Sequence, residues 1–243
     1  MRDSCIVFTR LSPVVALLTF VAMPPLAGAA SITGTVVYEG AVPNFPPIQT
    51  DADPHCANLR DEPLYPETLV LGDDQKIANV FVHITDGLPE DAEFPVPEEP
   101  VVLTQEGCRY SPRVFGVMAG QDLTVLNPDG ILHNVNARSR VNRGFNLAMT
   151  SNIGEITVQF DEPEFMFEFR CDVHPWMIAH CAVMDHPFFT VTGEDGRFVI
   201  EGLAPGTYEI EAWHERLPAE TATVTLEEGE TAELSFTMRI PGR

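Results

Sequence analysis

The sequence predicts an all-β protein of sandwich type, and three observations carry that expectation. Short runs with period-two alternation recur along the 243 residues: "ITGTVVY" at 32–38, "IANVFVHI" at 77–84, "LTVL" at 123–126, "EITVQF" at 155–160, "RFVIEGL" at 197–203, "TYEIEAW" at 207–213 and "ATVTL" at 222–226. Alternation at this period places every second side chain on one face of a sheet. Turn residues punctuate the runs, as "NPDG", "GEDG", "APG" and "EEGE". Amphipathic helical spacing is nearly absent, and many short strands separated by turns build sandwiches.

The N-terminal residues read differently. Arg2 and Arg10 precede an apolar run from Leu11 to Met23, and "PLAGAA" follows, with Ala29 or Ala30 at the expected cleavage edge. A charged start, an apolar run and small residues form a secretory signal peptide over 1–30. The run is short for a bilayer span, so no membrane span is expected after cleavage. Cys5 lies ahead of the apolar run, out of place for a lipid-anchored first residue. The mature chain is then periplasmic or secreted, where disulfides persist. Its formal charge moves from -22 for the whole chain to about -23. Nucleic-acid binders need a basic face, so that class is excluded. A strongly acidic surface is a solvated one, or one that attracts a cationic partner. Arg138, Arg140 and Arg143 form the one basic cluster, in a loop that is either solvated or a local docking charge.

After the first runs comes "LPEDAEFPVPEEP" at 88–100, whose prolines remove strand donors and mark an extended connector. The tail "FFTVTGEDGRFVIEGLAPGTYEIEAWHE" resembles the carboxypeptidase regulatory-like domain, a small immunoglobulin-like β-sandwich. Such a domain begins with a strand like "ITGTVVYEGAVP" and continues with one like "ANVFVHI"; here those pieces lie more than a hundred residues upstream. The resemblance therefore implies nesting. Residues 31–104 supply the first part with its connector, 105–186 form an inserted unit, and 187–243 supply the second part. Insertions are tolerated where their ends lie close together. Three consecutive units with a separate N-terminal β segment remain the alternative arrangement.

The chemistry concentrates in "FRCDVHPWM", where Cys171, His174 and Met177 are spaced three residues apart. On a straight strand this spacing throws neighbours to opposite faces. In a tight loop leaving a strand, which Pro175 favours because it cannot continue a ladder, all three can turn toward one ion. Thiolate and imidazole suit copper, and a thioether suits its axial position. A further ligand must come from elsewhere, and His133 follows the turn after "LTVLNPDG". The bland reading is a Cys and a Met in the core and a His satisfied by hydrogen bonds.

The segments "YSPRVFGVMAGQDLTVLNPDGILHNV" and "FEFRCDVHPWM" together resemble the cupredoxins, with a ligand loop similar to the amicyanin and pseudoazurin type. The resemblance covers 105–186 and implies a Greek-key β-sandwich with one type 1 copper site. His133, Cys171 and His174 would be its equatorial ligands and Met177 its long axial one. Asn134 would bond across to the ligand loop and hold it, the plainer alternative being a turn-exit Asn satisfying its own backbone. The His174 edge would reach the surface within an apolar patch of Ile131, Leu132, Pro175 and Trp176, the electron-transfer face. The inserted unit is short for the family, so an edge strand is expected to be missing or borrowed.

Of the other cysteines, Cys181 alternates inward on the strand after the loop and reads as a small buried hydrophobe. Cys56 and Cys108 remain, both among turn residues of an exported chain, and a disulfide joins them on this reading. A metal site of His55 and Cys56 has little behind it. His83, His186 and His214 lack ligand-like company, and Trp213 is expected between two sheets of a sandwich. No general-base pair or activated nucleophile is evident, so the chain is read as a non-enzyme. The leading function is an exported electron carrier cycling between Cu(I) and Cu(II), with a cationic c-type cytochrome as the kind of partner its charge favours. The alternatives are copper trafficking or storage, suggested by Met118, Met149, Met166 and Met184, and a cell-surface interaction module.

Overall fold

A computed structural model of the chain describes residues 28–50, 53–59 and 62–240. The signal peptide falls outside these apart from its last residues, and Ala30 already opens the first strand, buried at its start. The elements run in order β1 (Ala30–Tyr38), α1 (Pro54–Asn58), β2 (Phe81–Asp86), β3 (Val101–Gln105), β4 (Tyr110–Ser111), β5 (Val114–Met118), β6 (Leu123–Leu126), β7 (His133–Ala137) and β8 (Phe145–Met149). They continue with β9 (Glu155–Val158), β10 (Glu164–Arg170), β11 (Ile178–Met184), β12 (Phe189–Val191), β13 (Arg197–Leu203), β14 (Gly206–Trp213), β15 (Glu220–Leu226) and β16 (Thr231–Met238). The class is all-β, as the alternation predicts.

The first sandwich packs the sheet β13-β1-β16 on the sheet β12-β2-β14-β15. β1 runs antiparallel to β13 and parallel to β16, so Ile32 sits beside Ile200 and Ala232. Its alternation turns Ile32, Val36 and Tyr38 inward, where they meet Val82, Ile84, Phe198, Ile210 and Phe236. Each aliphatic or aromatic side chain so buried contributes roughly 1.5–3 kcal/mol of transfer free energy. Gly34 lets β1 approach β16, since a Cβ there would lie 1.9 Å from the Leu234 carbonyl oxygen. β2 pairs with β12 and β14, so strands from either side of residues 101–184 share one sheet.

The second sandwich packs the sheet β5-β11-β10-β7-β8 on the sheet β4-β3-β6-β9. Its core is aromatic: Phe115, Phe160, Phe167 and Phe169 pack edge to face or tilted around one another. Two parallel pairs, β3 with β6 and β5 with β11, mark crossover connections between the sheets. This is a sandwich of a five-stranded and a four-stranded sheet, each mixing parallel and antiparallel pairs.

Three expectations need correction. The second sandwich starts at Val101 rather than 105, because β3 pairs with β6 from Val101 onward, directly after the last proline of the connector. The segment around α1 does not belong to the first sandwich's core: Cys56 is buried within the second. Trp213 does not lie between two sheets of one sandwich. It packs against Phe165 and His180, at the seam where Phe81 and Phe189 meet Val114 and Met184. That seam is close-fitting, since a Cβ on Gly116 of β5 would lie 2.4 Å from the Phe189 ring.

Candidate metal centre

The two halves of the site are carried by neighbouring strands of the five-stranded sheet, β7 and β10, at one end of the second sandwich. β6 ends at Leu126, and Asn127 then shapes the turn, donating from its amide to the carbonyls of Ile131 (2.9 Å) and Met149 (3.1 Å). The chain re-enters as β7 with His133 fully buried. Beside it in the sheet, β10 delivers Cys171 to a short loop that returns as β11. The loop closes on itself: Cys171 N–H donates to the Met177 carbonyl at 3.1 Å, and Met177 N–H to the His174 carbonyl at 2.9 Å. This closure resolves the face problem of the three-residue spacing, because the backbone turns tightly enough to aim Cys171 and His174 the same way.

The outcome is a compact donor set. His133 Nδ1 lies 2.9 Å from His174 Nδ1, and Cys171 Sγ lies 3.7 Å from His174 Nδ1. All three donor atoms fall within 4.8 Å of one another, and all three residues are buried. Met177 is buried in the same core as Cys171. Two imidazole nitrogens and one thiol sulfur crowded into a buried volume, both rings offering the same nitrogen, form a donor set that fits a thiophilic transition metal such as copper.

The electrostatics agree with a ligand-ready thiol. Burial pushes the Cys171 thiol up, but hydrogen bonds from His133 and His174 and the amides of Asn134 and His174 outweigh it and bring it to about 6. The His174 amide lies 3.4 Å from the sulfur. Burial pushes His133 down, but the Asp129 carboxylate and the Cys171 sulfur carry it to about 9. His174 is likewise depressed by burial and raised overall by Cys171 and Asp53. Asp129 is pushed up by burial yet lowered overall by His133 and by the amides of Cys108 and Gly107.

Around the donors a second layer holds the loop. Asn134 Oδ1 accepts the Asp172 amide at 2.6 Å, and its Nδ2 donates to Asn146 Oδ1 (2.6 Å) and Asp172 Oδ2 (3.2 Å). The Asn134 side chain thus bridges β7 to the ligand loop. Tyr110 fixes the same corner from beneath, its hydroxyl donating to the Asn134 carbonyl at 2.6 Å. Cys56 and Cys108 are joined by a disulfide beside the site, so neither offers a free thiolate. The free cysteines among the described residues are Cys171 and Cys181, both buried.

One feature implied by resemblance is reversed. His174 is 1% exposed rather than presenting an edge to solvent, because its Nε2 meets Asp53 Oδ2 at 3.0 Å and the α1 segment lies over it. Pro175 is exposed, but Trp176 is half-buried, its indole N–H donating to the Cys108 carbonyl at 3.0 Å. Of the expected patch Leu132 and Pro175 are exposed, and Val173 adds exposed apolar surface to the loop. Sequence reasoning missed Asp129 and Asp53. Asp129 stands four residues before His133 in the same turn, a local signal that was there to read; Asp53 is 121 residues from His174 and left none.

Residues 183–239 match the carboxypeptidase regulatory-like domain family. A search of curated proteins finds no match. Among solved structures, the chain is similar to a copper-containing nitrite reductase from Thermus scotoductus, at 18% identity and a TM-score of 0.33 over 42% of this chain. The chain spans 26% of that reductase. An amicyanin variant in its Cu(I) form aligns over 41% of this chain and 100% of its own, at 19% identity and a TM-score of 0.32. A purple cupredoxin from Nitrosopumilus maritimus aligns over 35% of this chain and 99% of its own, at 21% identity and a TM-score of 0.29. The family match thus falls on the C-terminal strands of the first sandwich and begins within β11.

Proposed function

We propose that this chain is an exported type 1 copper protein that carries electrons by outer-sphere transfer and is not an enzyme. The observation that carries this is the convergence of His133 Nδ1, His174 Nδ1 and Cys171 Sγ within 4.8 Å in a buried pocket closed by the Cys171–Met177 loop. His133, Cys171 and His174 would hold the copper, with Met177 as a weaker further donor. Copper held there would supply a Cu(I)/Cu(II) couple that needs little change in its ligands. The chain's own part is to hold the donors rigidly and dry: Asn134 and Tyr110 fix the loop, and the aromatic core beneath excludes water. Rigid donors make little reorganisation necessary, which suits electron transfer rather than substrate turnover.

The signal-peptide pattern supports a periplasmic or secreted location, and no helix among the described residues is long and apolar enough to cross a membrane. The acidic chain, at -22 overall, favours a cationic redox partner such as a basic c-type cytochrome. Docking uses the apolar surface around Leu132, Val173 and Pro175. Copper-loaded protein is expected to show an intense thiolate-to-copper band at the red end of the visible spectrum, absent in Cys171→Ser. A Cys171→Ser protein that keeps the full band would falsify the ligand assignment. A second reading, copper held for storage or delivery, draws on the burial of His174. Stopped-flow oxidation by a cationic cytochrome over a salt series separates the two: a carrier reacts fast and slows as salt rises, and a store reacts slowly at every salt.

A further inference from the structure

Each of the two candidate histidine ligands has its outer nitrogen on a carboxylate. His133 Nε2 lies 2.9 Å from Asp129 Oδ2, and His174 Nε2 lies 3.0 Å from Asp53 Oδ2. Neither carboxylate is a loose surface group swung in by chance. The Asp129 side chain is 4% exposed and also accepts the amides of Gly107 (2.6 Å) and Cys108 (2.8 Å). Asp53 caps α1, its Oδ1 taking the His55 amide at 2.8 Å, which leaves Oδ2 for His174. The two carboxylates are also tied to each other. Cys56 lies in the helix that Asp53 caps, Cys108 supplies an amide to Asp129, and one disulfide joins these cysteines.

We propose that Asp53 and Asp129 are a disulfide-held pair of positioning carboxylates, which aim both imidazoles inward and lower the reduction potential of the bound copper, while the 53–58 segment closes the site to solvent. The inference rests on the copper reading above. A carboxylate on one ring nitrogen fixes the proton there, leaving the other nitrogen as the metal donor and strengthening it. It also places negative charge beside a centre whose two oxidation states differ by one positive charge. Attraction to the more highly charged state is the stronger, so Cu(II) gains more than Cu(I). Asp129 is buried and poorly screened, so its bias survives salt, while the Asp53 side chain, 27% exposed, is screened more.

The experiment uses the full mature chain as parent, Asp53→Asn and Asp129→Asn. Asparagine keeps the shape and an acceptor while removing the charge. Metal-free protein is first labelled with diethyl pyrocarbonate and mapped by mass spectrometry, with exposed His55 as the internal control. In the parent, His174 is expected to react at least tenfold more slowly than His55, and Asp53→Asn is expected to keep that ratio. The copper-loaded proteins are then titrated electrochemically. Each variant is expected to shift the Cu(II)/Cu(I) equilibrium toward Cu(I) by tenfold or more, a rise of about 59 mV for a one-electron couple. Potentials equal to the parent's in both variants overturn the inference, and Asp53→Asn alone decides it should Asp129→Asn not fold. His174 labelled as fast as His55 in the parent overturns the cover. A well-folded parent that takes up no copper sinks the preceding reading together with the claim about potential, and the slow labelling of His174 then still supports the cover.

Discussion

Replacing Glu215 by Gln tests what couples the two sandwiches. Glu215 follows β14 in the first sandwich; Arg113 precedes β5 in the second. The guanidinium grips the carboxylate through Nε (2.8 Å) and Nη2 (2.7 Å), while Nη1 donates to the Ile178 carbonyl at 2.9 Å. His180 Nε2 adds a contact at 3.3 Å. The two charged side chains are only 6% and 9% exposed, so solvent screens the pair little. Burial pushes the Glu215 carboxyl up, but hydrogen bonds from His180 and Arg113 outweigh it and hold it at about 2, against an ordinary value of 4.5. That difference is worth roughly 3 kcal/mol at neutral pH, in line with the cost of stranding a buried charge. For a depressed carboxyl the contribution is complete above pH 4.5 and is lost as pH falls toward 2. Glu215→Gln should therefore be about 3 kcal/mol less stable than the parent at pH 7, and the gap should narrow below pH 4.5 and nearly close by pH 2. Urea unfolding of metal-free protein measures this, followed by the fluorescence of Trp213 at the seam and Trp176 by the ligand loop. Subtracting the two pH profiles removes every titration that parent and variant share. A gap equally large at pH 7 and pH 2 would refute the charge argument and assign the loss to packing.

Other expectations follow from single positions. Gly116→Ala forces a methyl into the Phe189 ring and should cost about 1–3 kcal/mol, read as a lower urea midpoint with an altered Trp213 signal. Removing both Cys56 and Cys108 opens a link spanning 52 residues and should cost about 2–4 kcal/mol in the metal-free protein; an unchanged midpoint would mean that the unfolded chain gains little freedom. Met177→Leu removes a weak axial donor while conserving volume, so the potential should rise with the blue colour largely kept, and electrochemistry with an optical spectrum decides it.

The fold class and the candidate ligand loop were legible for the same reason: both are local. Strand alternation needs only neighbours, and "RFVIEGL" and "LTVL" coincide with β13 and β6 because turn residues bound each run. Cys171, His174 and Met177 lie within seven residues, so a single tight loop decides whether they can converge. Less was legible where pattern was weak. β16, reading "TAELSFTM", lies outside the alternating runs singled out from the sequence, yet its parallel pairing with β1 closes a sheet across the full length of the chain. Trp213 could be read as core, but which core depends on how two sandwiches meet.

What the sequence determined by itself is therefore the class, the turns and the chemical character of one loop. What only the tertiary structure decided is what surrounds that loop. No local rule connects Asp53 to His174 across 121 positions, or Arg113 to Glu215 across 102. Those contacts arise because one disulfide lays α1 over the site and because β5 and β12 press together at the seam. The consequence is physical: a histidine expected at the surface is buried against a carboxylate, since burial is set by whatever chain happens to pack above, and packing is a property of the whole fold.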